Sequence, residues 1–289
     1  MQSLLPRITR KIRNKLQNSY EVLCSGKYSE RLENISDICI NRETPFNVGD
    51  LYCSPERYYP ELENVKRVDL QYLSSRQLGP ETFARQNSIT LGGGGILYYR
   101  EAIKTVIQHA PKKLFGWGLG LNSHSNERES DSFLKESMFL KIGIRDFNVG
   151  LPWVPCVSCK HPEFDVKRQS QHEVVVYEHL DFPLHLRSFP KMKNKRNTMK
   201  NILNFLGSGN TVVTNSYHGA YWATLLGRKV VVLDPFSNKF NHFKHPLILS
   251  DSDSLKENIQ KAPNYLDALE ECRTTNDNFS IEVFRRMFD

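Results

Sequence analysis

Asp50 and His218 can move a proton, and Arg145 and Lys239 can hold an anion, which is the set of groups that transfer chemistry on a charged substrate requires. Each stands beside residues suited to the same task. Asp50 closes Asn47-Val48-Gly49-Asp50 in a proline-rich loop, Arg145 precedes Asp146, and Ser216 and Gly219 flank His218. Gly92, Gly93, Gly94 and Gly95 form an unbroken run whose accessible backbone N–H groups could wrap an anion. That run is neither a dinucleotide fingerprint nor a P-loop. Asn122 and His124 follow a second glycine-rich stretch, and Lys195 and Arg196 belong to a basic run over 187–200 that contains no acidic residue.

The elements that must position these groups can be read from apolar patterning. Residues 211–215 and 229–233 are β-branched runs, and the segment between them has helical composition and closes on Gly227, so the stretch reads as a β-α-β unit. Ser216, His218 and Gly219 then fall at the carboxyl edge of a parallel sheet, where open α/β folds bind ligands. A helix starting near residue 218 or 219 would aim its unpaired N–H groups at an anion, with Gly219 permitting close approach.

Similar strands are expected at 35–40, 88–91, 113–117, 141–145 and 173–179, with helices at 96–110, about 132–139, 201–206 and from 254 onward. Asp50, the four glycines, Asn122, His124 and Arg145 all follow strand ends. Structural alternatives stay open at this stage: His218 or Asp50 as a helix cap, and Arg145 with Asp146 as a simple ion pair.

Asn-Val-Gly-Asp at 47–50, Thr-Leu-Gly-Gly-Gly-Gly at 90–95, Ile-Arg-Asp at 144–146 and TNSYHGAYWATLLGRKVVVL from Thr214 resemble, in order and spacing, the polysaccharide pyruvyl transferase family. The resemblance spans roughly residues 45–245. It implies two Rossmann-like lobes with mostly parallel sheets facing a cleft, as in GT-B glycosyltransferases. It also implies transfer of pyruvate from phosphoenolpyruvate to a sugar of a cell-surface polysaccharide, with no metal and no cofactor.

On that pattern His218 is general acid or phosphate partner and Asp50 the hydroxyl base. Arg145, Lys239, Ser216, Gly219 and the Gly93-Gly94-Gly95 loop hold the donor, while Asn47, Asn122, His124, Lys195 and Arg196 face the acceptor, a sugar on a lipid diphosphate. The pattern has an arginine two positions before the histidine, where Ser216 stands here. That departure favours a second reading, a GT-B-type transferase with a nucleotide-sugar donor.

At 289 residues the chain suits two domains, expected at 21–165 and 166–289 with the proline-rich stretch 153–165 as linker. Residues 1–20 are expected to form a basic amphipathic helix able to lie on an anionic membrane surface or to pack on its own domain. A net charge of +7 favours an anionic partner, and no interleaved basic and aromatic stripe points to nucleic acid. Six scattered cysteines suit a reducing cytoplasm. Cys156, Cys159 and His161 have ligand-like spacing but lack a second half-site for a metal.

Overall fold

The computed structural model describes residues 35–43, 47–70, 83–110, 113–121, 134–195 and 197–289. The expected N-terminal helix over 1–20, Asn122, His124 and Arg196 lie outside them. Among the described residues, ten strands form two five-stranded sheets. The first contains β1 (Asp37–Asn41), β2 (Lys66–Asp69), β3 (Ser88–Leu91), β4 (Lys113–Leu119) and β5 (Lys141–Ile144) in the order β2-β1-β3-β4-β5. The second contains β6 (His172–Glu178), β7 (Lys191–Lys193), β8 (Gly209–Thr214), β9 (Lys229–Leu233) and β10 (Ile248–Ser250) in the order β10-β9-β8-β6-β7.

Every strand pairing in both sheets is parallel. The central strands read as continuous apolar runs because helices cover both faces. Renumbered within its own lobe, each sheet has the order 2-1-3-4-5, the flavodoxin-type variant of the doubly wound fold rather than the 3-2-1-4-5-6 order. The chain direction reverses beside the first strand of each lobe. Ligand crevices in such sheets open at that switch point, here between the exits of β1 and β3 and between those of β6 and β8.

Six helices lie among the described residues: α1 (Val48–Leu51), α2 (Arg100–His109), α3 (Met199–Gly207), α4 (Tyr217–Leu225), α5 (Leu255–Lys261) and α6 (Ala268–Phe288). None is long and apolar enough to cross a membrane. All nine residues of α4 are buried, so its sequence is apolar all round rather than amphipathic. It fills the space between the second sheet and residues 153–165, where Tyr221 Oη donates to the Cys156 carbonyl at 2.8 Å and Trp222 Nε1 donates to Ser158 Oγ at 3.0 Å.

That stretch is therefore no exposed linker. Two 3-10 turns, Val157–Lys160 and Pro162–Asp165, carry Cys156, Cys159 and Phe164 into a core shared with Val48 and Cys53 of the first lobe. Cys159 meets Asn276 Nδ2 at 3.4 Å and His161 caps the second turn, so the metal-like spacing serves packing.

Other expectations need local correction. Residues 96–110 form a 3-10 turn, Ile96–Tyr98, and then a shorter α2, because buried Ile96 and Leu97 pin the chain to the sheet before the helix axis is set. The helix expected near 132–139 is, among described residues, one 3-10 turn, Glu136–Met138, that buries no residue and so has no tertiary contact to extend it. Strand β4 runs on past residue 117 to Leu119 through a bulge where Gly118 adopts φ +63°. The basic run contributes an unexpected edge strand, β7, on which exposed Lys191 and Lys193 discourage further pairing. The second half of α6 returns to the first lobe, where Phe279, Val283 and Met287 pack with Phe115 and Trp117 and Trp117 Nε1 donates to Asn276 Oδ1 at 2.9 Å.

Candidate active site between the lobes

The carboxyl edge of the first sheet is charged. Arg42 leaves β1 and pairs with Asp69 at the end of β2 at 2.6 Å, both buried, and its guanidinium lies over the Tyr99 ring at 5.3 Å. Arg145 and Asp146 leave β5 with 4% and 1% exposure, and Asp146 Oδ2 accepts from the Leu121 N–H at 2.8 Å. Between these charges sits α1. Asn47 caps it by accepting from Gly49 N at 3.2 Å, and its amide donates to Asp50 Oδ2 at 2.8 Å, which orients the carboxylate.

The carboxyl edge of the second sheet supplies a helix N-terminus and a cation. Ser216 caps α4, its Oγ accepting from Gly219 N at 3.4 Å, so the helix begins at Tyr217 and His218 is not the cap. Lys239, in a 3-10 turn after β9, is 8% exposed and forms no ion pair among the described residues. Its ammonium lies 4.3 Å from the Phe236 centroid and 5.3 Å from that of Phe240.

The two edges meet directly. A Cβ on Gly49 would overlap His218 Nδ1, so only glycine admits the imidazole there. His218 Nε2 lies 3.6 Å from Cys156 Sγ. The Arg145 guanidinium stacks on the Tyr217 ring at 3.6 Å, and its Nε makes no hydrogen bond among the described residues. Asn194 Nδ2, beyond β7, donates to Asn47 Oδ1 at 3.0 Å across the junction.

Asp50, Arg145, His218 and Lys239 thus share one electrostatic environment. Burial raises the Asp50 carboxyl to about 6, against the opposing pull of Arg42, Arg145 and Lys239. Burial, assisted by Arg145, lowers the Lys239 ammonium to about 7 although Asp50 favours the charged form. Burial and the same two cations push His218 well below its ordinary range, so the imidazole is neutral. Arg145 keeps its charge despite burial because Tyr217 and Asp146 lie beside it. Arg42, Arg145 and Lys239 all act on the Asp50 carboxyl, with Asp69 beside Arg42 and Asp146 beside Arg145.

Several sequence-predicted residues do other work than expected. Gly219 is needed for packing, since a Cβ would stand 2.7 Å from Thr214 Oγ1 and closer to the Tyr177 ring, and its N–H is taken by Ser216. The glycine run is a joint more than an open cradle. Gly92 and Gly93 donate to the carbonyls of Ile40 and Cys53, a Cβ on Gly93 would lie 2.9 Å from that Cys53 carbonyl, and Gly94 at φ +83° approaches Asp50 Oδ1. Gly95 begins the following 3-10 turn and is half-buried. Lys195 is exposed, one residue beyond Asn194.

Sequence reasoning placed Tyr217 at this edge without giving it a role, weighed Cys156 only as a metal ligand, and missed Arg42 and Asp69. Arg42 follows β1 and Asp69 ends β2, positions that would have marked them, whereas only the fold brings Cys156 to His218. No protein-family profile matches the chain, and no curated protein matches it significantly.

Proposed function

We propose that this protein is a transferase of two-lobed, GT-B-like architecture that binds an anionic donor between its lobes. The reading that accounts best for the site is pyruvyl transfer from phosphoenolpyruvate to a sugar of a cell-surface polysaccharide, in keeping with the resemblance to the polysaccharide pyruvyl transferases. The observation that carries it is the buried Lys239, which forms no ion pair among the described residues while Arg42 and Arg145 each stand beside a carboxylate. Burying an ammonium such as Lys239 without a carboxylate partner is costly unless a ligand supplies the missing charge. A donor with a carboxylate and a phosphate would supply it.

Asp50 relays the proton of the attacking sugar hydroxyl to the donor's methylene carbon as that hydroxyl oxygen bonds to the cation-like C2, phosphate then leaves, and a second hydroxyl closes the ketal while its proton departs with the phosphate. Asp50, ionised above about pH 6, accepts the hydroxyl proton. Arg145 and Lys239 stabilise the departing phosphate. The neutral imidazole suits His218 to the role of hydrogen-bonding partner of the phosphate rather than of imidazolium acid. The acceptor is a lipid-diphosphate-linked sugar met at the inner membrane surface, with the protein peripheral to it.

A nucleotide-sugar donor is the second reading, favoured by the Ser216-capped N-terminus of α4 at the β6/β8 switch point. Thermal-shift titration with phosphoenolpyruvate beside a panel of nucleotide sugars separates the two. A ligand at a hundred times its dissociation constant adds about 2.7 kcal/mol. Stabilisation by phosphoenolpyruvate that is lost in Lys239→Met supports pyruvyl transfer; stabilisation by a nucleotide sugar alone replaces it with glycosyl transfer.

A further inference from the structure

Gly49 stands against Nδ1 of the His218 ring, and a row of buried polar atoms stands against Nε2. The row is assembled by α4 itself. Tyr221 and Trp222 follow His218 by three and four residues and so share its face of the helix. They hold the turn that carries Cys156 and Ser158, Tyr221 Oη donating to the Cys156 carbonyl at 2.8 Å and Trp222 Nε1 donating to Ser158 Oγ at 3.0 Å. Ser158 Oγ lies 3.2 Å from Cys156 Sγ, and that sulfur lies 3.6 Å from His218 Nε2. Cys156, Ser158 and Trp222 are fully buried.

The direction of the hydrogens along this row follows from what each group can give. An indole N–H only donates, so Ser158 Oγ accepts from Trp222 and must place its own hydrogen elsewhere. Among the described residues Cys156 Sγ is the acceptor that this hydroxyl meets. Burial keeps the thiol protonated, and with Ser158 donating to the sulfur, the S–H is turned to Nε2. The reverse arrangement, Nε2–H on the sulfur and S–H on Ser158, leaves the buried serine hydrogen without an acceptor, which folded proteins avoid. Nε2 therefore accepts, and the ring proton sits on Nδ1. Nδ1 itself has no hydrogen-bond partner among the described residues.

We propose that Cys156, oriented by Ser158 and Trp222, is a positioning residue that fixes His218 as the Nδ1–H tautomer, so that an N–H rather than a lone pair is offered to the phosphate of phosphoenolpyruvate. The tautomer rests on the geometry of the row, and the phosphate as its recipient rests on the transferase reading. Burial, with Arg145 and Lys239 nearby, holds the imidazole uncharged, so it cannot present an N–H on both nitrogens. Which nitrogen carries the single proton then decides whether the ring attracts the anion or sets a lone pair against it. The thiol makes that choice by position, without adding a charge to the site.

The test is proton–nitrogen correlation NMR on the full chain labelled at its histidine ring nitrogens, for the wild type, Cys156→Ser and Cys156→Ala, with the His218 signals identified as the set lost in His218→Gln. Near neutral pH the wild type is expected to show a pyrrole-type Nδ1 and a pyridine-type Nε2. Cys156→Ser keeps a hydrogen-bond donor beside Nε2 and should retain that pattern, whereas Cys156→Ala removes it and should move the proton toward Nε2, the site that free histidine prefers. A proton on Nε2 in the wild type overturns the proposal without recourse to a variant, as does an unchanged Nδ1–H pattern in Cys156→Ala, which would make Cys156 a packing residue only. Phosphoenolpyruvate affinity, read by thermal shift, should fall about tenfold in Cys156→Ala and recover in Cys156→Ser. An altered tautomer with unaltered affinity overturns the role toward the phosphate. An Nδ1–H ring in a wild type that does not bind phosphoenolpyruvate upholds the tautomer and defeats pyruvyl transfer.

Discussion

The two carboxyl edges have the same strand order and opposite chemistry. The first is a set of buried charges held by each other, Arg42 on Asp69 and Arg145 beside Asp146. The second is a buried helix start and an array of rings, with Lys239 resting on two phenyl faces instead of a carboxylate. Topology therefore locates a crevice in each lobe without choosing its contents, and the side chains at the strand exits choose them. One lobe is organised to carry charge and the other to present faces. The junction is where they become interdependent, since Arg145 of the charged edge stacks on Tyr217 of the aromatic one.

Removing that stack is the most severe way to break the comparison. Arg145→Ala removes a buried guanidinium that lies beside Asp146 and covers the Tyr217 ring, and a loss of about 3–5 kcal/mol is expected in urea denaturation. A loss below about 1 kcal/mol would show the two edges to be independent.

Gly49→Ala probes the junction without touching a charge. Its Cβ must displace His218, at a cost of about 1–3 kcal/mol. Gly150→Ala is the control, where φ is +81° but open space surrounds the position, and only the backbone penalty of about 1 kcal/mol should appear.

The charges themselves make opposite predictions for activity and stability. With Asp50 ionised above about 6 and Lys239 protonated below about 7, kcat/KM should peak between pH 6 and 7 and fall about tenfold per unit on each side. The contributions of these two groups to stability should do the reverse. Asp50 has its folded value raised, so it contributes stability below the unfolded carboxyl value that is lost as pH rises to about 6. Lys239 has its folded value lowered, so stability returns as pH climbs from about 7 toward the unfolded lysine value. Below about pH 6.5 the lowered His218 has the opposite slope to Asp50 and offsets it, so the limb that isolates the site is the rise above about pH 7, which Lys239→Met should abolish; a wild-type curve flat above pH 7 would refute the desolvation of Lys239.

A further break of the junction is Asn194→Ala, which removes the hydrogen bond to Asn47 between the lobes and the one Asn194 accepts from buried Tyr177 Oη, and should cost about 1–3 kcal/mol by thermal denaturation.

Strand positions were legible because parallel strands covered on both faces must be apolar and β-branched, and β3, β8 and β9 lie within two residues of expectation. Asp50, Arg145, His218 and Lys239 were legible for a related reason. Parallel sheets put all their strand exits on one edge, so chemistry-bearing residues after a strand are gathered wherever the sheets form. Glycine roles were not legible. Gly93 and Gly219 look like ligand-facing glycines in sequence and Gly49 like a turn residue, yet each is glycine because a neighbour from elsewhere in the chain occupies the Cβ position.

By itself, then, the sequence determined the α/β class, the β-α-β unit around His218 and the strand ends that carry the charged residues, since these follow from local periodicity. Only the tertiary structure decided that both sheets wind in the same order, that residues 154–159 are buried, that α6 returns to the first lobe, and that Asp50 and Lys239 titrate near neutrality. Those outcomes depend on desolvation and on contacts between residues sixty or more positions apart, which no local pattern encodes.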